Sequence, residues 1–172
     1  MIQDEQLRAD EAFMRMALKE AEKAGTNGEI PIGAVIVCGG RIISRAHNLT
    51  ETLHDVTAHA EMQAITAAAN MLGGKYLKGC TLYVTVEPCP MCSGAIVNSR
   101  IDTVVYGCPD AKAGGAESIF NIITNPNLNH TATVISGSCE EECAQVMKNF
   151  FKRRREENKA KKQQQKQDCC VE

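Results

Sequence analysis

The chain has 172 residues, of which 44% are hydrophobic and 23% charged, and its formal net charge is −2. This length suits a single globular domain with its own core. No apolar stretch approaches the roughly 20 residues that cross a bilayer, and the acidic start MIQDEQLRADEAF lacks the apolar segment of an export signal. We therefore expect a cytoplasmic protein that does not enter a membrane and keeps its nine cysteines reduced.

The charges are distributed unevenly along the chain. Residues 1–151 carry 11 Lys/Arg against 17 Asp/Glu, whereas residues 152–172 carry 8 against 4. A basic C-terminal extension favours a polyanionic partner at that end, although a solvated helical tail would have the same composition. We predict a folded domain over 1–155 and a basic, low-complexity tail over 156–172 that is frayed or disordered.

The first half of the chain predicts a helix, a hairpin and a second helix. Apolar residues at helical spacing follow Asp10-Glu11, and Gly25 ends that helix. Two β-branched runs, 32–38 and 41–47, flank Gly39-Gly40, which is typical of a hairpin. The Ala-rich segment 58–72 favours a helix that Gly73 ends.

The second half predicts a strand–helix–strand unit and a closing helix. The segments are a strand at 80–87, a helix at 88–99, a strand at 101–107, a short helical piece at 118–124, a strand at 131–137, and a final helix that a capping box at Ser138 begins. Because a helix connects the strands at 80–87 and 101–107, these two should be parallel. The whole pattern indicates an α/β fold in three layers (α/β/α), with helices on both faces of a five-stranded mixed sheet.

Three residues predict a metal site. His59 begins the Ala-rich helix, and Pro88 precedes Cys89-x-x-Cys92 at the start of the next helix. Two cysteines three residues apart in a first helical turn share one face, and the positive end of the helix dipole favours their thiolates. Two thiolates and a neutral imidazole match Zn²⁺, and a set of three protein ligands leaves the fourth position for water, as in catalytic zinc sites.

Other uses of the cysteines are less consistent with the pattern. A structural zinc module needs a fourth protein ligand, and the remaining cysteines form no second CxxC. A redox dithiol at Cys89 and Cys92 would explain neither His59 nor Glu61. Cys139 and Cys143 are interpreted as two thiols on a helix face, and the adjacent Cys169 and Cys170 make a poor fixed metal site.

Glu61 is the candidate catalytic residue. It lies two residues after His59, close enough to exchange protons with a water molecule that zinc has activated. His-Ala-Glu alone usually marks only a helix start, but its pairing with Pro-Cys-x-x-Cys 29 residues past the histidine favours a function. His-x-Glu…Pro-Cys-x-x-Cys is the known signature of the zinc nucleobase deaminases.

The similarity extends well beyond this signature. The motifs that carry it are GEIPIGAVIV (28–37), TAHAEMQAI (57–65), TLYVTVEPCPMCSGAI (81–96), PDAKAGGAES (109–118), NPNLNH (125–130) and FFKRRRE (150–156). In these segments the chain resembles the bacterial tRNA-specific adenosine deaminases, which convert a wobble adenosine to inosine. The resemblance implies a cytidine deaminase-like fold, one zinc ion per chain, a final strand parallel to its neighbours, and a homodimer in which both subunits shape each cleft.

The resemblance also implies roles for individual residues. His59, Cys89 and Cys92 would hold zinc, Glu61 would shuttle protons, and the tRNA anticodon stem-loop would be the partner. The residues expected to bind substrate are Asn48, Ile32, Ala60, Asp110, Lys112, Asn129 and His130, and Arg153 and Arg154 would contact the RNA from the tail. Glu117 departs from the family pattern, in which a small residue is common.

The alternative functions share the zinc or the cysteines but differ in substrate. The nearest alternative is a zinc deaminase of a free base or nucleotide, of the guanine or cytosine type, and the basic tail and the NLNH segment argue against it. A non-catalytic RNA-binding zinc module is the alternative from another class, and Glu61 argues against that one.

Overall fold

A five-stranded mixed sheet forms the centre of the molecule. The computed structural model describes residues 2–168, with side chains for 5–165. The elements are α1 (Ile2–Thr26), β1 (Gly33–Cys38), β2 (Arg41–His47), α2 (Thr50–Leu53), α3 (Ala60–Leu72), β3 (Cys80–Val86), α4 (Pro90–Ser99), β4 (Thr103–Cys108), β5 (Thr133–Ser136) and α5 (Glu140–Asp168). The strand order is β2-β1-β3-β4-β5, with β1 antiparallel to β2 and β3, and β4 parallel to β3 and β5.

Helices cover both faces of this sheet, because the central strands are apolar on both sides. Alternate residues of β1 enter different cores: Ala34 and Ile36 pack with α3 and α4, whereas Val35 and Val37 pack with α1 and α5. Contact with α1 is so close that a Cβ on Gly33 would lie 2.0 Å from the Ala17 carbonyl oxygen. The predicted fold class, the hairpin and the parallel final strand are confirmed.

The structure corrects three details of the sequence-based elements. Helix α1 begins at Ile2 instead of Asp10, since its first turns contain good helix formers before the buried stripe starts. Segment 118–124 contains turns instead of a helical piece, because the backbone at 116–118 binds the Glu87 carboxylate. The capping box at Ser138 does not form: Ser138 Oγ is buried without a hydrogen-bond partner, and Cys139 has φ 51°.

The described part of the tail is helical. Residues 156–168 continue α5 as helix, and the side chains from 151 to 165 are exposed. Lys, Arg, Glu, Gln and Ala favour helix, so a polar, low-complexity composition is compatible with one. Cys169 and Cys170 lie outside the described residues, as does the rest of the predicted tail beyond Asp168.

None of the helices within residues 2–168 is both long enough and apolar enough to cross a bilayer.

Candidate active site

The predicted zinc ligands meet where two helices begin. His59 Nδ1 lies 3.6 Å from Cys89 Sγ and 3.5 Å from Cys92 Sγ. Within the described residues, this is the one group of three His, Cys, Asp or Glu side chains whose ligand atoms lie within 4.8 Å of one another. A tetrahedral zinc with Zn–S bonds of about 2.3 Å and a Zn–N bond of about 2.0–2.1 Å sets sulfur and nitrogen about 3.6 Å apart. The side chains are therefore already at the spacing of a zinc site.

Helix capping explains why these side chains point at one another. His59 is the N-cap of α3 and Cys89 the N-cap of α4, both with extended backbone, and neither side chain caps its own helix. The sequence pattern predicted Pro88 in the first helical position, but Pro90 occupies it. Two helix N-termini thus face the cluster, and their positive dipole ends favour thiolate and carboxylate.

The two sulfurs of the cluster differ in acidity. The hydrogen bond from Cys92 is the main cause that lowers the pKa of Cys89 to about 4. The same bond, together with burial, raises the pKa of Cys92. Without a metal only one sulfur is therefore readily ionised, whereas a divalent cation would neutralise two thiolates beside a neutral imidazole. The donor set fits zinc, and His59, Cys89 and Cys92 would hold it.

Glu61 lies in the first turn of α3, beside this cluster, and is only 3% exposed. Burial raises the pKa of its carboxyl to about 7. Its Oε2 atom is buried without a hydrogen-bond partner among the described groups. A buried carboxyl with an unpartnered oxygen and a pKa near neutrality is suited to take up and release a proton.

The cluster opens into a cleft of about 690 Å³. Of the residues predicted to bind substrate, Ile32, Asn48, Asp110 and Lys112 line it with His59, Glu61 and Cys89. The far wall is formed by α5, through Ala144, Met147, Lys148 and Phe151. The cleft thus extends well past the metal cluster, between the loop after β4 and the last helix.

Comparison with known proteins identifies this arrangement. A model of the cytidine and deoxycytidylate deaminase zinc-binding region matches residues 7–108. The chain is 51% identical to the tRNA-specific adenosine deaminase of Bacillus subtilis over 83% of its own length and 89% of the relative, and 51% identical to that of Aquifex aeolicus over 83% and 93%. The chain belongs to the tRNA-specific adenosine deaminases. It is a zinc-dependent deaminase.

Solved structures agree with this membership. A tRNA:A34 deaminase structure superimposes with a TM-score of 0.76 at 47% identity, covering 78% of this chain and 98% of that one. The guanine deaminase of Nitrosomonas europaea superimposes with a TM-score of 0.72 at 21% identity, over 81% of this chain and 83% of that one, and shares the fold.

A buried acid that the sequence analysis missed holds Asn48 in this deaminase. Glu29 has no exposed surface, and its carboxylate accepts hydrogen bonds from Asn48 Nδ2 at 3.2 Å and from the backbone N–H groups of Glu51 and Thr52. Asn48 Nδ2 also donates to Thr50 Oγ1 at 3.0 Å. Because both amide hydrogens are engaged, the amide oxygen remains to accept a hydrogen bond from a ligand.

A second buried acid, Glu87, organises the loop after β4. It immediately precedes Pro88 and Cys89. Its carboxylate accepts hydrogen bonds from the Ser118 hydroxyl and from the backbone N–H groups of Asp110, Ala116, Glu117 and Ser118. The loop passes so close that a Cβ on Gly114 would lie 2.4 Å from this carboxylate. One side chain thus ties the loop that contains Asp110 and Lys112 to the strand end that leads to the zinc ligands.

The remaining predicted residues do not line the cleft of this chain. Asn129 and His130 line a separate hollow of about 200 Å³, and His130 Nε2 bonds the Ile101 carbonyl oxygen at 2.7 Å. Ala60, the first residue of α3, is fully buried. Arg153 donates to the Gly25 carbonyl oxygen at 2.8 Å, and Arg154 lies over the Phe150 ring.

Removal of the imidazole should remove the metal. We expect His59→Ala to lose the one tightly bound zinc per chain, because two sulfurs alone cannot complete the site. Metal analysis of the purified protein measures this directly. His130→Ala, which alters a histidine in the other hollow, should keep its zinc. A His59→Ala protein that retained one zinc per chain would contradict the ligand set.

The ionised form of Glu87 should contribute stability at neutral pH. Burial would raise the pKa of Glu87, but hydrogen bonds from Ser118 and the loop backbone hold it below its usual value. Because the folded pKa lies below the unfolded one, this stabilisation is present above the unfolded pKa and is lost as the pH falls through the folded one. We expect Glu87→Gln to lower the free energy of unfolding by about 1.5–3 kcal/mol at neutral pH.

Urea unfolding at a series of pH values measures this contribution. The difference between the unaltered protein and Glu87→Gln should shrink below about pH 4. Glu22→Gln changes an exposed acid of α1 and should show little difference at any pH. A Glu87→Gln effect that grows as the pH falls would have the wrong sign.

Proposed function

We propose that this deaminase hydrolyses adenosine to inosine at the wobble position of a tRNA anticodon. The observation that carries the proposal is the combination of the zinc cluster with close similarity to tRNA-specific adenosine deaminases over more than four fifths of the chain. An anticodon base is accessible to such a site, because loop bases are single-stranded and can be splayed out of the stack.

Asn48 and Ile32 form the part of the cleft that would receive the base. Glu29 fixes the orientation of the Asn48 amide, so the amide oxygen of Asn48 would accept a hydrogen bond from a donor on the base edge. Ile32 supplies an apolar surface for the ring, and its carbonyl oxygen accepts from the backbone N–H of Asn48, which keeps the two residues in register. This pairing would hold the base beside Glu61.

Glu61 would move the protons of the reaction. His59, Cys89 and Cys92 would hold zinc, which would lower the pKa of a bound water molecule to about 7. Glu61, whose burial raises its own pKa to about 7, would accept a proton from water as the water oxygen bonds to C6, and would pass that proton to the ring nitrogen. It would then take the proton of the new hydroxyl group and give it to the amine, which leaves as ammonia when the C6–N bond breaks. Water enters and ammonia leaves, so Glu61 ends the cycle in its starting form.

The flanking nucleotides would lie along the extended part of the cleft. Asp110 and Lys112 belong to the loop that Glu87 holds over this region, and the cleft continues to Lys148 and Phe151 of α5. A cationic amine and an aromatic ring suit a phosphate and a base face respectively.

A homodimer in the cytoplasm would complete this function. Several large apolar side chains are exposed, among them Val56 at 84%, Leu53 at 52% and Phe120 at 51%. Contact with a second copy of the chain would remove such side chains from water. Asn129 and His130, which lie outside the cleft of their own chain, could then serve the cleft of the other subunit.

Glu61 should be required for turnover but not for metal binding. We expect Glu61→Gln to keep zinc and RNA affinity and to lose about 10²- to 10⁴-fold in rate, because the amide cannot exchange the proton. The measurement is inosine formation in an anticodon stem-loop with adenosine at the wobble position. The control is Glu117→Gln, which alters an acid that accepts a hydrogen bond from the Tyr106 hydroxyl, and it should remain active.

The same assay separates the proposal from its nearest alternative. The unaltered enzyme should be inactive on free guanine, cytosine and adenine. Turnover of a free base without turnover of the stem-loop would replace tRNA by a small substrate. Substantial inosine formation by Glu61→Gln would remove Glu61 from the chemistry.

Light scattering after size exclusion should give the mass of a dimer for the unaltered chain. Phe120→Asp should shift the protein to monomer and reduce activity, because a charge on a buried contact surface is unfavourable. Leu7→Asp, which alters an exposed apolar residue of α1, should remain dimeric. A monomeric and fully active unaltered chain would contradict the dimer.

A further inference from the structure

The last helix begins as a wall of the active-site cleft and then continues beyond it. Lys148 and Phe151 line the cleft with the zinc cluster, and α5 extends to Asp168. Every described side chain from Phe151 to Gln165 is exposed. At 1.5 Å per residue, the part of α5 beyond Phe151 measures about 25 Å. This length of helix is presented to solvent directly at the mouth of the cleft.

Basic residues form a continuous stripe on one face of this exposed helix. The members of the basic stripe are Lys148, Lys152, Arg155, Lys159 and Lys162. Their spacing of four, three, four and three residues keeps them within roughly 40° of the Lys148 direction and about 5–6 Å apart along the axis. The only acids between 148 and 165, Glu156 and Glu157, fall outside this sector.

The cations of the stripe are available to a ligand. Among the salt bridges between described residues, those of α5 join Arg153 to Glu157 and Glu142 to Arg15, so none includes a member of the basic stripe. Arg153 and Arg154, which the sequence singled out, lie on another face. There Arg153 bonds the Gly25 carbonyl oxygen, and both guanidinium groups lie over the Phe150 ring.

We propose that the basic stripe binds the phosphate backbone of the anticodon stem as the RNA leaves the active-site cleft. This inference rests on the proposed function, because the stripe starts at Lys148 inside the cleft that would hold the loop. A straight row of cations matches a stem better than a loop, since the stem continues in one direction and carries regularly spaced negative charges. The stripe would supply affinity and orientation, not base recognition.

An anionic membrane surface would be a poorer partner for the same helix. A helix that lies on a membrane needs an apolar face opposite its cations. From Lys152 to Gln165 the one apolar residue is Ala160. The charge of the stripe without such a face favours a solvated polyanion such as RNA.

The sequence offers a matched pair of variants that separates the two faces. K162Q removes one lysine from the basic stripe, whereas K161Q removes a lysine one residue earlier, about 100° away. Both side chains are exposed, so both variants should fold and keep zinc, which circular dichroism and metal analysis check. The substrate is an anticodon stem-loop, assayed for inosine at several salt concentrations.

We expect K162Q to raise KM about threefold, with kcat retained, and to reduce the slope of log(kcat/KM) against log[salt] by about 0.8. K161Q should stay near the unaltered enzyme, and shortening the stem should remove the difference between the two variants. Equal effects of both variants, or none, would overturn the stripe while the unaltered enzyme still formed inosine. An unaltered enzyme without activity on the stem-loop would instead overturn the proposed function.

Discussion

The rest of the site depends on the convergence of two helix N-termini. His59 and Cys89 occupy the N-cap positions of α3 and α4 with extended backbone, so their side chains point away from the helices. His59 Nδ1 thereby lies 3.6 Å from Cys89 Sγ and 3.5 Å from Cys92 Sγ. The parallel pairing of β3 and β4 across α4 holds that helix against the sheet. The same convergence places Glu61 in the first turn of α3, where burial raises its pKa to about 7. The candidate metal ligands and the acid proposed to move protons therefore have one structural origin.

Two buried carboxylates connect this centre to the substrate-binding segments. Glu29 engages both Asn48 and the backbone of α2, and Glu87 engages the loop that contains Asp110 and Lys112. In each case an acid accepts several backbone N–H groups that would otherwise be unsatisfied in a short loop. Charged acceptors make strong hydrogen bonds, so a single side chain holds each of these segments in place.

The predictable features were those with local signals. The hairpin, the strand–helix–strand unit and the fold class follow from hydrophobic period and turn residues, and the zinc ligands follow from residue types at fixed spacing. Glu29 and Glu87 were missed, because an acid in a loop or at a strand end is usually exposed. Only the tertiary structure shows that other segments surround these two carboxylates. The helix predicted at 118–124 failed for a related reason: the Ser118 N–H binds Glu87, and those of Ile119 and Phe120 bind the Gly114 carbonyl oxygen instead of helical partners.

The sequence by itself indicated the chemistry, because His59 and Glu61 lie two residues apart and Cys89 and Cys92 lie three residues apart at predicted helix starts. The tertiary structure decided the surroundings of that chemistry. It placed Asn129 and His130 in a separate hollow, directed Arg153 to the Gly25 carbonyl oxygen, and aligned Lys148 with the exposed face of α5. The physical reason is that metal coordination depends on short-range backbone geometry, whereas the direction of a surface charge depends on which element lies beside it.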